Sequence, residues 1–291
     1  MSFQLYKDTS YKISKRITVS YSTSFSWGIK AFAPEYRAPI FAIYSYVRIA
    51  DEIVDSFHDF DKKSLLKKFE EDTWDAINKG ISTNPVLQAF QETVNKYGIY
   101  PELIKSFLKS MEMDLYSSSY NTNKYDNYIY GSAEVVGLMC LKVFVDGNDK
   151  KYKDLENSAR MLGAAFQKVN FLRDIKEDIN ERGRIYLPGV HERELINNQN
   201  KKKLEDSIDL EFSEALSGIK KLPIKVKLGV YSAYLYYYML FRKIKKLDVE
   251  ELLTSRVRIS NFYKLYLLFK SYFEVKPVSY THLTLPTSDL V

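Results

Sequence analysis

Gln167–Asp178 reads QKVNFLRDIKED. Gln167, Asn170, Asp174 and Asp178 stand at helical spacing. At about 100° per residue they fall near 0°, −60°, −20° and +20°, one narrow stripe. A polar stripe is ordinarily the water face of an amphipathic helix. Here Ala164, Ala165, Val169, Phe171, Leu172 and Ile175 crowd both of its sides. With apolar residues on both sides, the water-face reading fits this stripe less well.

A second acidic pair lies upstream. Asp51 and Asp55 in DEIVD are four apart and share a helix face, with Arg48 three residues earlier on the same side. The spacing alone is undiagnostic, since Asp55 and Asp59 satisfy it too. What distinguishes Asp51 and Asp55 is their apolar surroundings, Ile40, Ala42, Ile43, Tyr46, Val47, Ala50, Ile53 and Val54. Four aspartates and an asparagine make an oxygen-only donor set, which hard cations prefer and zinc or copper do not. Mg²⁺ takes one or two carboxylates together with waters and substrate phosphates. Two carboxylate pairs with neighbouring arginines therefore suggest a polyphosphate bridged by Mg²⁺, the arginines neutralising the remaining oxygens.

Composition narrows the field. The 291 residues are 45% hydrophobic and 27% charged, a globular balance. One cysteine excludes a disulfide framework and a cysteine zinc cluster. Three scattered histidines leave little for a histidine metal site. The net charge of +6 is spread along the chain, so a nucleic-acid stripe is not expected. No signal core and no uncharged apolar run of 18 residues is present. The apolar run Leu228–Phe241 reads as a core helix. The expected location is cytoplasmic, with peripheral membrane contact compatible.

Periodicity is helical nearly throughout. Helices are predicted from about Pro39 to Phe57, 62–79, 86–97, 101–117, 124–145, 150–180, 205–219, 223–246 and 258–274. A loop is expected over RGRIYLP (182–188), and a loop or weak helix over 197–203. One all-α domain over residues 1–276 is the simplest organisation. Residues 277–291, PVSYTHLTLPTSDLV, lack Lys, Arg and helical periodicity and look like a translated adaptor remnant; a genuine tail is the alternative.

Five blocks in order make the chain resemble the squalene/phytoene synthases, the head-to-head isoprenyl diphosphate synthases. They are YSTSFSWGIKAFAPEYR (21–37), AIYSYVRIADEIVD (42–55), YIYGSAEVVG (128–137), FQKVNFLRDIKEDINERGRIYLP (166–188) and RVRIS (256–260). The resemblance implies a single all-α isoprenoid-synthase bundle around a deep central cavity. It implies that Asp51, Asp55, Asp174, Asp178 and Asn170 are Mg²⁺ ligands, with Mn²⁺ an acceptable substitute. Arg48, Arg173, Ser22 and Ser24 would contact diphosphate, as would Arg184 and Arg258. Tyr130 and Gln167 would stand near the reacting ends, and Phe25, Leu138 and Phe166 along the cavity. Glu52 stands where many relatives have Asp, at a position that is not usually a ligand.

The implied reaction joins two geranylgeranyl diphosphates into phytoene through prephytoene diphosphate, without NADPH. GRIYLP resembles the phytoene synthase version. The alternative is a C30 enzyme that joins two farnesyl diphosphates. A non-catalytic scaffold of the same fold is the remoter alternative, and it would have lost the aspartates kept here. The Tyr and Phe surplus fits an aromatic cavity lining that stabilises cations. Oligomeric state is not legible. Deleting 277–291 should leave the melting temperature unchanged; a fall of several degrees in calorimetry would show that the segment packs on the domain.

Overall fold

The computed structural model describes residues 2–116, 122–181, 183–187, 190 and 196–275. Among these the architecture is all helical, without strands. The order is α1 (Phe3–Tyr21), α2 (Thr23–Lys30), α3 (Pro34–Asp55), α4 (Lys62–Lys79), α5 (Pro85–Tyr97) and α6 (Pro101–Tyr116). Then come α7 (Thr122–Ile129), a π-helical turn (Tyr130–Glu134), α8 (Val135–Phe144) and α9 (Asp149–Asn180). The chain continues with α10 (Asn198–Lys221), α11 (Ile224–Ile244), α12 (Val249–Thr254) and α13 (Asn261–Val275). Segment 277–291 lies outside the described residues, as does Pro188.

Helix ends follow local chemistry. Asn84 accepts backbone N–H bonds at the start of α5, and Gly80 and Gly98 close α4 and α5 in the left-handed conformation. α3 starts at Pro34, not near Pro39 as the sequence reading expected. Pro34 takes the first helical position, where a missing N–H costs nothing. Pro39 lies one turn further in, and the burial of the face it shares with Ile40 and Ile43 outweighs one lost bond. α10 extends through the lysine-rich stretch that was expected to be loop or weak helix. Asn197 caps it, and Lys201–Glu205 and Lys202–Asp206 pairs one turn apart hold its start. The helix expected over 124–145 is broken by the π turn.

α1 and α2 were not anticipated. The buried stripe of α1 is Ser10, Ser14 and Thr18, not an apolar row. Ser10 Oγ donates to the Tyr6 carbonyl and Thr18 Oγ1 to that of Ser14, at 2.9 Å each. These small side chains, two of them hydrogen-bonded back onto their own helix, let α1 lie against α3 and α5.

One contiguous core links the helices. At its centre Tyr46 of α3 stacks on Phe90 of α5, ring centroids 3.7 Å apart, with Phe69 of α4 and Phe107 of α6 beside them. α9, the longest helix, packs against α8, the π turn, α10, α11 and α12. A Cβ on its Gly163 would come within 2.6 Å of the Ala133 carbonyl, so only glycine permits this approach of α9 to the π turn. Likewise Gly229 of α11 leaves room for the Phe32 ring, 2.2 Å from where its Cβ would stand. Among the described residues no helix is long and apolar enough to cross a membrane.

Phe90→Ala should destabilise the protein by about 3–5 kcal/mol, because the stacked ring leaves a cavity that the α3–α5 contact does not close. Denaturant unfolding would measure it, and a loss under 1 kcal/mol would show that the stack is not central.

Candidate active site

A cavity of ≈ 620 Å³ runs through the bundle. Its acidic end is the open one: the side chains of Asp51 and Asp55 are 34% and 24% exposed. Its apolar end is closed by buried side chains such as Phe32, Ile40, Phe144 and Ile219. α3 brings Arg48, Asp51 and Asp55 to the wall, and α9 brings Gln167, Asn170, Arg173, Asp174 and Asp178. Ser22, Ser24 and Arg184 also line it. The two acidic helices therefore line one cavity.

Asp51, Asp55 and Asp174 each have a cationic neighbour. Arg48 pairs with Glu52 and lies 4.0 Å from Asp51, its guanidinium 4.4 Å above the Tyr21 ring. Glu52 thus holds an arginine. Arg173 Nε donates to Asp174 Oδ1 at 2.8 Å. Arg184 Nη1 donates to Asp55 Oδ1 at 2.7 Å, and its Nη2 to the Asp114 carbonyl at 3.0 Å. Burial works against the charge of Arg184, but Tyr186, Asp114 and Asp55 outweigh it and raise its pKa. Arg173 is raised as well: burial opposes its charge, and the Asp174 hydrogen bond prevails. Both stay cationic, ready to face phosphate oxygens. Ser22 caps α2 by accepting from Phe25 N at 3.2 Å, which fixes the turn carrying Ser24.

Two expectations are corrected by placement. Tyr130 does not line the cavity; Arg160 lies over its ring at 5.4 Å. Tyr128 and Ser132, four residues apart on another face of this stretch, line the wall instead. Arg258 is exposed and off the cavity, and its carbonyl receives Lys243 Nζ. Arg256, two residues earlier, is the lining arginine, 2.8 Å from Asp174 Oδ1 and 3.1 Å from Glu177 Oε2. Of the apolar residues, Phe25 and Phe166 line the cavity, whereas Leu138 faces the core. Phe166 stacks on Tyr237 at 4.0 Å, so an aromatic pair stands beside Asn170.

Sequence reasoning missed Asp114. It occupies a buried position on α6, in register with Ile104, Phe107, Leu108 and Met111. An acid on an apolar stripe was the available signal. Tyr128 Oη donates to its Oδ2 at 2.8 Å and Tyr186 Oη to its Oδ1 at 3.2 Å. Asp114 thereby ties α7 and the 183–187 segment to one residue of α6 on the cavity wall.

The donor set fits magnesium. Among the described residues no three His, Cys, Asp or Glu side chains converge enough to cage a metal unaided. An open arrangement that leaves positions to water and phosphate suits Mg²⁺. Among the described residues Asn170 Oδ1, buried on this wall, has no hydrogen-bond partner, an acceptor with capacity to spare.

The family model described as squalene/phytoene synthase matches residues 18–263. The chain belongs to that family. It is 30% identical to the 15-cis-phytoene synthase of Synechocystis over 79% of this chain and 75% of that one. It is 28% identical to the chloroplastic phytoene synthase 1 of Arabidopsis thaliana over 94% of this chain; the match takes in 66% of that longer relative. In three dimensions it resembles a dehydrosqualene synthase crystal structure, TM-score 0.79 at 20% identity, over 94% of this chain and 98% of that one. A squalene synthase from Alicyclobacillus acidocaldarius follows with TM-score 0.72 at 20% identity, over 83% and 95%. These neighbours share the all-α isoprenoid synthase fold.

Cys140, the chain's one cysteine, lies on the cavity wall, and burial pushes its thiol up to about 12. A half-buried thiol held protonated is a poor nucleophile. Iodoacetamide at pH 8 should leave the folded protein unlabelled and alkylate it fully in guanidinium, as read by intact mass. Fast labelling of the folded protein would show that the cavity wall opens.

Proposed function

We propose that this chain is a phytoene synthase, joining two geranylgeranyl diphosphates head to head. The observation that carries the reading is that Asp51, Asp55, Asp174, Asp178 and Asn170, from two helices, share the open end of one long apolar cavity. Members of the family are prenyltransferases, dependent on magnesium or manganese. The similarity to curated phytoene synthases of a cyanobacterium and a plant supports the C20 substrate.

In this reading the four aspartates and Asn170 hold the metal. Bound there, Mg²⁺ neutralises diphosphate and makes it a better leaving group. Arg48, Arg173 and Arg184, with Ser22 and Ser24, bind and orient the diphosphates; Arg256 takes the role expected of Arg258. To do so the arginines exchange carboxylate partners for phosphate oxygens, charge-assisted bonds of the same kind. Gln167 and Tyr128 stand where the diphosphate end meets the apolar wall. The double bond of one substrate displaces diphosphate from C1 of the other, forming prephytoene diphosphate and losing a proton. Loss of the second diphosphate, rearrangement of the cyclopropylcarbinyl cation and loss of one more proton give phytoene. Phe166, Tyr237 and Phe25 line the path with rings that stabilise cations at about 0.5–2 kcal/mol each. The closed apolar end keeps water from the cations.

Purified protein with Mg²⁺ and geranylgeranyl diphosphate, without NADPH, should yield a C40 hydrocarbon by gas chromatography–mass spectrometry. A C30 product from farnesyl diphosphate alone would place it with the dehydrosqualene type. Asp51→Asn and Asp178→Asn should each lower kcat/KM at least about 100-fold with unchanged circular dichroism, since each removes a proposed metal ligand. Unchanged rates at an unchanged Mg²⁺ requirement would overturn the ligand assignment.

A further inference from the structure

α13 packs onto α11 through Leu267 and Ser271, the Ser271 and Ser232 hydroxyls meeting at 2.6 Å. Its opposite face is apolar as well. Phe262, Leu265, Tyr266, Phe269, Tyr272 and Phe273 recur at three- and four-residue spacing and stand in solvent; the three phenylalanines are 83%, 60% and 70% exposed. A helix apolar on both faces is normally buried, and an exposed patch of this kind marks an interaction surface.

Charge around the patch says what covers it. At the N-terminal end of α13, exposed Arg242 and Lys243 meet the segment carrying Arg258, Lys243 Nζ donating to the Arg258 carbonyl at 2.8 Å. Lys264 and Lys270 flank the helix itself. The one acid on α13, Glu274, already accepts from Tyr231 Oη at 2.8 Å and faces Lys270 at 3.8 Å. A second copy of this face would set like charges together. Aromatic rings rimmed by lysine and arginine match the interface of an anionic bilayer.

The position suits the chemistry. A narrow cleft of ≈ 30 Å³ lies beneath α13, lined by Trp27, Lys264 and Leu268, and shares Phe25, Tyr236 and Tyr237 with the wall of the main cavity. The apolar face thus overlies a seam leading toward the cavity's interior.

We propose that the outward face of α13 docks on the surface of an anionic lipid bilayer. The proposal deepens the prenyl-diphosphate reading, because prenyl chains partition into lipid, yet it can be tested separately. The full chain is sedimented with vesicles of phosphatidylcholine alone or mixed with phosphatidylglycerol. Binding should be about tenfold stronger to the anionic vesicles and weaken with salt. The triple variant F262S/F269S/F273S should lose about tenfold in binding, with unchanged melting temperature and unchanged turnover of detergent-dispersed substrate. Absence of wild-type binding, equal binding by the variant, or a wild-type dimer in light scattering that the variant dissolves would each overturn the proposal. So would loss of binding on removing residues 277–291 alone. Vesicle binding by a protein that makes no hydrocarbon would support the docking surface and refute the catalytic reading.

Discussion

Asp55 and Arg184 meet at 2.7 Å on the wall of the cavity. Uncompensated carboxylates there would repel one another and be costly to desolvate. The bundle answers with arginines from different elements: Arg48 on α3, Arg173 on α9, Arg184 from the 183–187 segment and Arg256 from the link before α13. The same charges that keep the site intact without ligand are those a metal diphosphate needs. In the proposed reaction carboxylates would turn to cations and guanidiniums to phosphate, so binding would exchange partners rather than create buried charge.

That exchange needs walls that stay put. Gly163 lets α9 approach the π turn, and Gly229 admits Phe32, so these helices close on the cavity at fixed distances. Asp114 adds a polar tie. By accepting from Tyr128 and Tyr186 while its carbonyl accepts from Arg184, it fixes three segments against each other. The π turn shifts the helical phase between α7 and α8, with Tyr128 just before it on the wall and Tyr130 off it.

Legibility followed burial chemistry. α4, α5 and α9 bury apolar rows in a periodic pattern and were readable to within a residue or two. α1 buries Ser10, Ser14 and Thr18, which look like a solvent face in sequence, so it went unread. The lysine-rich start of α10 resembled a loop because its stabilisation comes from pairs one turn apart and an Asn cap. The aspartates and Asn170 could be placed on two helix faces from spacing alone. Asp114 and Arg256 could not, since their role depends on partners far away in the chain.

By itself the sequence determined the all-α class, the two acidic helix faces and the hard-cation chemistry they suit, because helical periodicity and donor type are local properties. Tertiary structure alone decided that both faces serve one cavity, that Tyr128 and Arg256 line it where Tyr130 and Arg258 do not, and that Asp114 joins them. It also left the aromatic face of α13 in solvent. These are matters of long-range packing and helical phase, which a one-residue shift in a π turn or a close glycine contact can change without altering the local pattern.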